Sequence, residues 1–216
     1  MTDKLTPQQA IDMRNSIEEV VVARINETLD RLDAYVDGFL PKPEHASYIA
    51  EQDRIDLFFK ADRIKFEEGS AAERFERHPS PWVWSTRTCQ PFPGRNHFVK
   101  DLPGGLELWF RIEFAFRGFA GYTVYNPATE SLIPFKRIPE ETAQGIFDEF
   151  GITSEDVSEI CWWVVSEYLP AGPEATSPNF RMLDDLTLAL LDDEAFEAFI
   201  VESKATINRL LAITIK

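Results

Sequence analysis

The sequence predicts an α+β fold: an antiparallel β-meander over about residues 106–138, packed against N-terminal and C-terminal amphipathic helices. Two observations predict it. Residues 106–117, LELWFRIEFAFR, alternate without a break. Leu106, Leu108, Phe110, Ile112, Phe114 and Phe116 fall on one face, and Glu107, Trp109, Arg111, Glu113, Ala115 and Arg117 on the other. Side chains on a strand have a period of two, so this is a β-strand with one wholly apolar face. The two ends of the chain instead repeat apolar residues every three or four positions, the period of a helix buried along one stripe.

At the N-terminus, Thr6 is a capping residue, Pro7 suits a first helical turn and Gln9 completes a capping box. Ile17, Val21, Ile25, Leu29, Leu32 and Val36 then mark one stripe, and Gly38, Pro41 and Pro43 end it, which predicts a helix over 7–37. Residues 44–67 carry two patterns. HASYIAEQDR reads as helix, while Ile55, Leu57 and Phe59 alternate like a strand; a helix into the sixties is expected, with a short hairpin as the alternative. Ser70 and Glu73 form a second capping box, opening a short helix through about Arg77.

Residues 78–105 hold five prolines and three glycines in 28 positions, which predicts a long loop. After the central strand, Gly118–Gly121 reads as a hairpin turn, Tyr122–Tyr125 as a short strand, and Leu132–Ile138 as a third strand that Pro134 places at an edge or bulge. A helix over 139–150 ends at Gly151. Ser154 can cap another, with Val157, Ile160, Cys161, Val164 and Tyr168 at helical spacing, although CWWVV alone also reads as a strand. Residues 170–178 are a loop. Asp192 or Asp193 caps a last helix through about Leu211, with Phe196, Ile200, Ile207 and Leu210 inward. The expected organisation is one α+β domain over 1–216, divisible into a helical subregion 1–77, the loop 78–105, and the sheet with C-terminal helices over 106–216.

At 216 residues with a 44% hydrophobic fraction, the chain can bury a core without staples. Its net charge of −15 repels phosphate at long range, so the body is a poor non-specific nucleic-acid binder. Residues 81–120 are the exception, with five Lys or Arg against three Asp or Glu. Cys89 and Cys161 are the only cysteines, and there is neither a signal-like start nor a run of roughly 18 apolar residues. A cytoplasmic protein with reduced thiols and no membrane partner is expected.

Little of the sequence names a chemistry. His45, His78 and His97 lack metal-ligand spacing, no HExxH, paired-cysteine or GxSxG motif occurs, and the glycine pairs suit turns better than a phosphate loop. No catalytic residue, metal or cofactor is therefore assigned. Glu202-Ser203-Lys204 has the acid-x-lysine form of a nuclease site but falls within a helical pattern, where a solvated face explains it. The better candidate surface is the aromatic and basic loop: Trp82, Trp84, Arg87, Arg95, His97 and Lys100, joined by Trp109 and Arg111 on the polar face of the central strand. Trp and Arg dominate protein-binding hot spots, and rings interleaved with cations also suit single-stranded nucleic acid. The plainer reading folds Trp82, Trp84 and Phe92 back over the sheet and covers Trp109 and Arg111, with arginine paired to Glu107 or Glu113 across the strands. An enzyme would need convergent polar groups, such as His97 with Glu107 or Glu113.

From Leu106 onward, LWFRIEF, the following Gly-Tyr, CWWVVSEYLP and NFRMLDDLTLALLDDEAFEAFI resemble the C-terminal accessory region of bacterial PD-(D/E)XK-superfamily nuclease-like proteins. The resemblance covers about residues 106–213 and rests on Trp162, Trp163, Asn179, Phe180, Arg181 and Leu190 to Asp192, which are not active-site residues. The N-terminal half lacks the strand-borne acid followed by Glu-x-Lys that the family's metal site requires. The resemblance thus implies the accessory part without the nuclease, in a setting such as restriction, phage defence or mobile elements. The expected function is a non-enzymatic acidic interaction module of the immunity, antitoxin or defence-associated type. Its expected partner is a protein, with nucleic acid through residues 81–117 as the alternative and a homo-oligomer left open.

Overall fold

The computed structural model describes residues 6–44, 94–114, 117–153, 162–173, 176–180 and 182–215. The expected helices between 44 and 77 and the proline-rich stretch 78–93 lie outside the described residues. Helix α1 (Pro7–Val36) starts as the sequence predicts: Gln9 N donates to Thr6 Oγ1 at 3.3 Å, and Thr6 N donates to Gln9 Oε1 at 2.9 Å. Val21, Ile25, Leu29, Leu32 and Val36 are buried along one stripe, whereas the described side chains of the first two turns are exposed.

The sheet follows: β1 (Gly94–Leu102), β2 (Leu106–Phe114), β3 (Gly118–Asn126), β4 (Ser131–Leu132) and β5 (Trp163–Leu169). β2 to β4 form the expected antiparallel meander, and β1 extends it on the free edge of β2. β5 also pairs antiparallel with β3, along residues 118–123, while β4 holds residues 125–126, so the two share one edge of β3. Helices α2 (Glu140–Phe150), α3 (Asp185–Ala189) and α4 (Asp193–Thr214) complete the described elements.

Four expectations are corrected. The 78–105 loop is not a loop throughout, because residues 94–102 form β1. Its prolines fall at 79–93 and 103, which leaves nine residues able to pair with the edge of β2 and satisfy both backbones. The glycines at 118 and 121 lie inside β3 rather than in a turn. A Cβ on Gly121 would sit 2.0 Å from the Val165 carbonyl oxygen, so glycine permits the close approach of β5. The strand expected over 132–138 is only two residues long, since Pro134 offers no N–H and Phe135–Arg137 close a 3-10 turn. Residues 163–169 form a strand, not a helix, because the aromatic and β-branched run completes the exposed edge of β3.

The apolar face of β2, with Ala120, Tyr122 and Val124 of β3, packs in one cluster with the stripes of α1, α2 and α4. The helical N-terminal segment therefore belongs to the same core as the sheet. α1 and α4 run parallel: Arg24 pairs with Asp193, Arg31 holds Glu197 with two bonds of 2.6 and 2.7 Å, and Tyr35 donates to Asn208 at 2.8 Å. Phe196 lies between, with the Arg24 guanidinium 4.3 Å from its ring centre. Asp192 caps α4 by accepting from Ala195 N at 3.0 Å, and the Tyr122 hydroxyl donates to Leu210 O at 2.9 Å, tying β3 to the last turns of that helix.

Candidate functional site: the α1–β1 charge cluster and the second sheet face

Strand register decides where each nominated side chain goes. Arg95 and His97 stand opposite Ile112 and Phe110, so both face the helices, not the polar side of the sheet. There α1 presents Asp30, Asp33 and Asp37, spaced three and four residues apart on one flank. Arg95 Nη2 lies 3.1 Å from Asp30 Oδ1. His97 Nε2 lies 3.0 Å from Asp33 Oδ1, and its Nδ1 lies 3.5 Å from Asp37 Oδ1. Neither imidazole contact is aligned as a hydrogen bond, although the ring is fully buried. The turn after α1 is drawn against the strand by a 2.8 Å bond from Phe98 N to Pro41 O, which brings in Lys42. Its ammonium contacts Asp33 and lies 3.0 Å from Asp37 Oδ1. Burial pushes the Asp33 carboxyl up, but His97 and Lys42 outweigh it and leave its pKa below the ordinary value.

Trp109 and Arg111 lie on the other face, and both are buried. Trp109 stacks on Tyr125 with ring centres 3.8 Å apart, and its indole N–H donates to Glu107 Oε2 at 2.7 Å. Arg111 Nε donates to Glu113 Oε2 at 2.8 Å, and Nη1 donates to Asn96 Oδ1 at 2.9 Å. The ion pair runs along one strand, two residues apart on the same face, not across strands as the sequence suggests. Burial raises the Glu113 carboxyl above its ordinary range, and Arg111 opposes this without cancelling it. Gly94 is required here, because a Cβ would sit 2.4 Å from the Ile112 carbonyl oxygen on the paired strand, with the Arg111 guanidinium 2.9 Å away.

The eight nominated residues thus separate. Trp82, Trp84 and Arg87 lie outside the described residues. Arg95 and His97 join the α1 cluster, Lys100 pairs with Glu149 of α2, and Trp109 with Arg111 sits inside the second face. The sheet separates His97 from Glu107 and Glu113, so the acid–base grouping an enzyme was expected to use does not assemble. The Glu202–Lys204 triplet lies on α4, where Ser203 is buried and Lys204 sits 5.1 Å from the Tyr35 ring centre. What the sequence misses is Asp33 and Asp37. They are two carboxylates among 37, and only the pairing of β1 with β2 brings a histidine to them.

A second feature emerges at the approach to α4. Between Met182 and Glu194 the chain exposes Met182 (72%), Leu186 (39%), Leu188 (37%) and Leu191 (37%), interspersed with exposed Asp185, Asp192, Asp193 and Glu194. The segment is braced from within. Asp184 accepts from Asn179 N at 3.0 Å and from Thr187 N at 2.9 Å, and Asn179 Oδ1 accepts from Met182 N at 3.1 Å. Leu183 has φ of +50° and packs on the core, which leaves Met182 outside; such a backbone costs about 1–3 kcal/mol. Phe180 is buried against Phe114. Asn179 and Phe180, which carry the resemblance, thus act here as packing and bracing residues. No family model, curated protein or solved structure matches the chain.

Proposed function

We propose that this chain is a non-enzymatic, acidic interaction module of the cytoplasm that binds a basic protein partner, of the immunity, antitoxin or defence-associated type. The observation that carries the reading is the 182–194 segment, where four large apolar side chains stand exposed within ten residues among carboxylates. Isolated exposed apolar residues need no explanation, but a group of them on a braced segment with a polar rim has the composition of a binding patch. Bracing by Asp184 and Asn179 reduces the ordering cost of association. The net charge of −15 adds long-range attraction for a basic partner. No described helix is long and apolar enough to cross a membrane, which suits a partner in solution.

Of the residues the sequence nominates, the described Trp109, Arg111 and His97 are buried and do not belong to this patch. The nucleic-acid reading is not carried forward: Arg95, Lys100 and Arg111, the described cations that phosphate would need, are engaged by Asp30, Glu149 and Glu113. The test is affinity capture from the native host with the parent chain and with Met182→Glu and Leu188→Glu, both folded by circular dichroism. The reading expects a protein retained by the parent, lost from both variants, and released as salt rises from about 0.1 to 0.5 M. Equal retention by all three chains, or no retained protein at all, rejects it.

A further inference from the structure

We propose that Asp33, Asp37 and His97 form a binding site for one divalent transition-metal ion, and that the Lys42 ammonium is the tethered cation competing for the same place. One ligand atom from each of the three residues lies within 4.8 Å of the others. Ligands bound at about 2.1 Å stand roughly 3.0–3.4 Å apart in octahedral or tetrahedral coordination, so the 3.0 Å from His97 Nε2 to Asp33 Oδ1 is already a ligand–ligand distance. Asp37 has the freedom to close the set, since its side chain is 43% exposed.

The imidazole points independently to a ligand. It is fully buried, its nitrogens stand 3.0 and 3.5 Å from two carboxylate oxygens, and neither is aligned for a hydrogen bond to them. Burying both nitrogens without a bond is costly, and a metal ion satisfies one of them directly. Charge leads to the same place. Among the described residues the cluster holds Asp30, Asp33 and Asp37 against Lys42 and Arg95, one negative charge in excess when His97 is neutral. Exchanging the ammonium for a divalent ion brings this balance to zero. Lys42 already sits where a cation is wanted, touching both carboxylates, and its 43% exposed side chain can swing into water. One imidazole with two carboxylates suits zinc, manganese, cobalt or nickel better than calcium or magnesium, and three protein ligands leave coordination positions for water.

The test uses the full chain, stripped with a chelator and titrated calorimetrically with zinc, with cobalt absorption reporting coordination. One ion is expected per chain. Lys42→Ala should bind at least tenfold tighter because the competing ammonium is gone. In that background, His97→Asn and Asp37→Asn should each weaken binding at least tenfold and remove the cobalt signal; Asp37 is partly exposed, so its variant serves if the histidine variant does not fold. Magnesium at millimolar excess should not displace zinc. The proposal is overturned if neither the parent nor Lys42→Ala binds, or if binding is unchanged by Asp37→Asn, which would place the ion on other groups.

Discussion

Removing one end of the Arg111–Glu113 pair at a time should destabilise the protein in two distinguishable ways. In Arg111→Met the Glu113 carboxylate loses its counter-charge in a site only 2% exposed, and its lowest-energy escape is to take up a proton. Protonating at pH 7 a carboxyl with an ordinary value of 4.5 costs up to about 3.4 kcal/mol, at about 1.36 kcal/mol per pH unit. The folded pKa lies above the unfolded one, so stability from this group is full below the unfolded value and falls as pH rises. The deficit of the variant should therefore grow as pH rises from 5 to 7, by no more than about 3.4 kcal/mol. In Glu113→Gln the guanidinium, still bonded to Asn96, cannot deprotonate, so the deficit of this variant should not grow with pH. Urea unfolding between pH 5 and 8, followed by tryptophan fluorescence, separates the two. A deficit that is flat with pH for Arg111→Met, or one that grows with pH for Glu113→Gln, would refute the reasoning.

Gly121→Ala should cost about 1–3 kcal/mol by pushing β5 off β3, since the new Cβ meets the Val165 carbonyl at 2.0 Å. Faster amide exchange along 163–169 would report it, and parental stability would count against the close approach. Burial, before any partner, lifts the Tyr122 and Tyr125 hydroxyls from 10.0 to about 12. Alkaline titration by absorbance should thus show Tyr122 and Tyr125 ionising late, with their contribution to stability present below pH 10 and lost as pH rises through about 12. Loss of the late phase in neither Tyr122→Phe nor Tyr125→Phe, or no late phase while the chain is still folded, would contradict it.

Where an element's own residues decide its state, the sequence was legible. The Thr6 capping box and the stripe from Val21 to Val36 specify α1 regardless of what packs on it, and unbroken alternation specifies β2. Gly151, with φ of +63°, ends α2 as its position suggests. Elements that failed were those that depend on a neighbour. GRNHFVKDL becomes β1 because β2 has an edge to offer, and WVVSEYL becomes β5 because β3 does.

The candidate sites divide along the same line. Composition established the net charge of −15 and the presence of enough apolar residues for a core, and residue order excluded HExxH, paired-cysteine and GxSxG motifs. Alternation put Trp109 and Arg111 on the face away from the helices, but it could not place Arg95 or His97, because one residue of register moves a strand side chain to the opposite face. That register sends His97 to the carboxylates of α1 and seals Arg111 with Glu113 behind the sheet. Local pattern is written in neighbouring residues and reads directly. Convergence of Asp33 and Asp37 with a histidine some sixty positions away exists only once backbone pairing and core packing have brought the segments together.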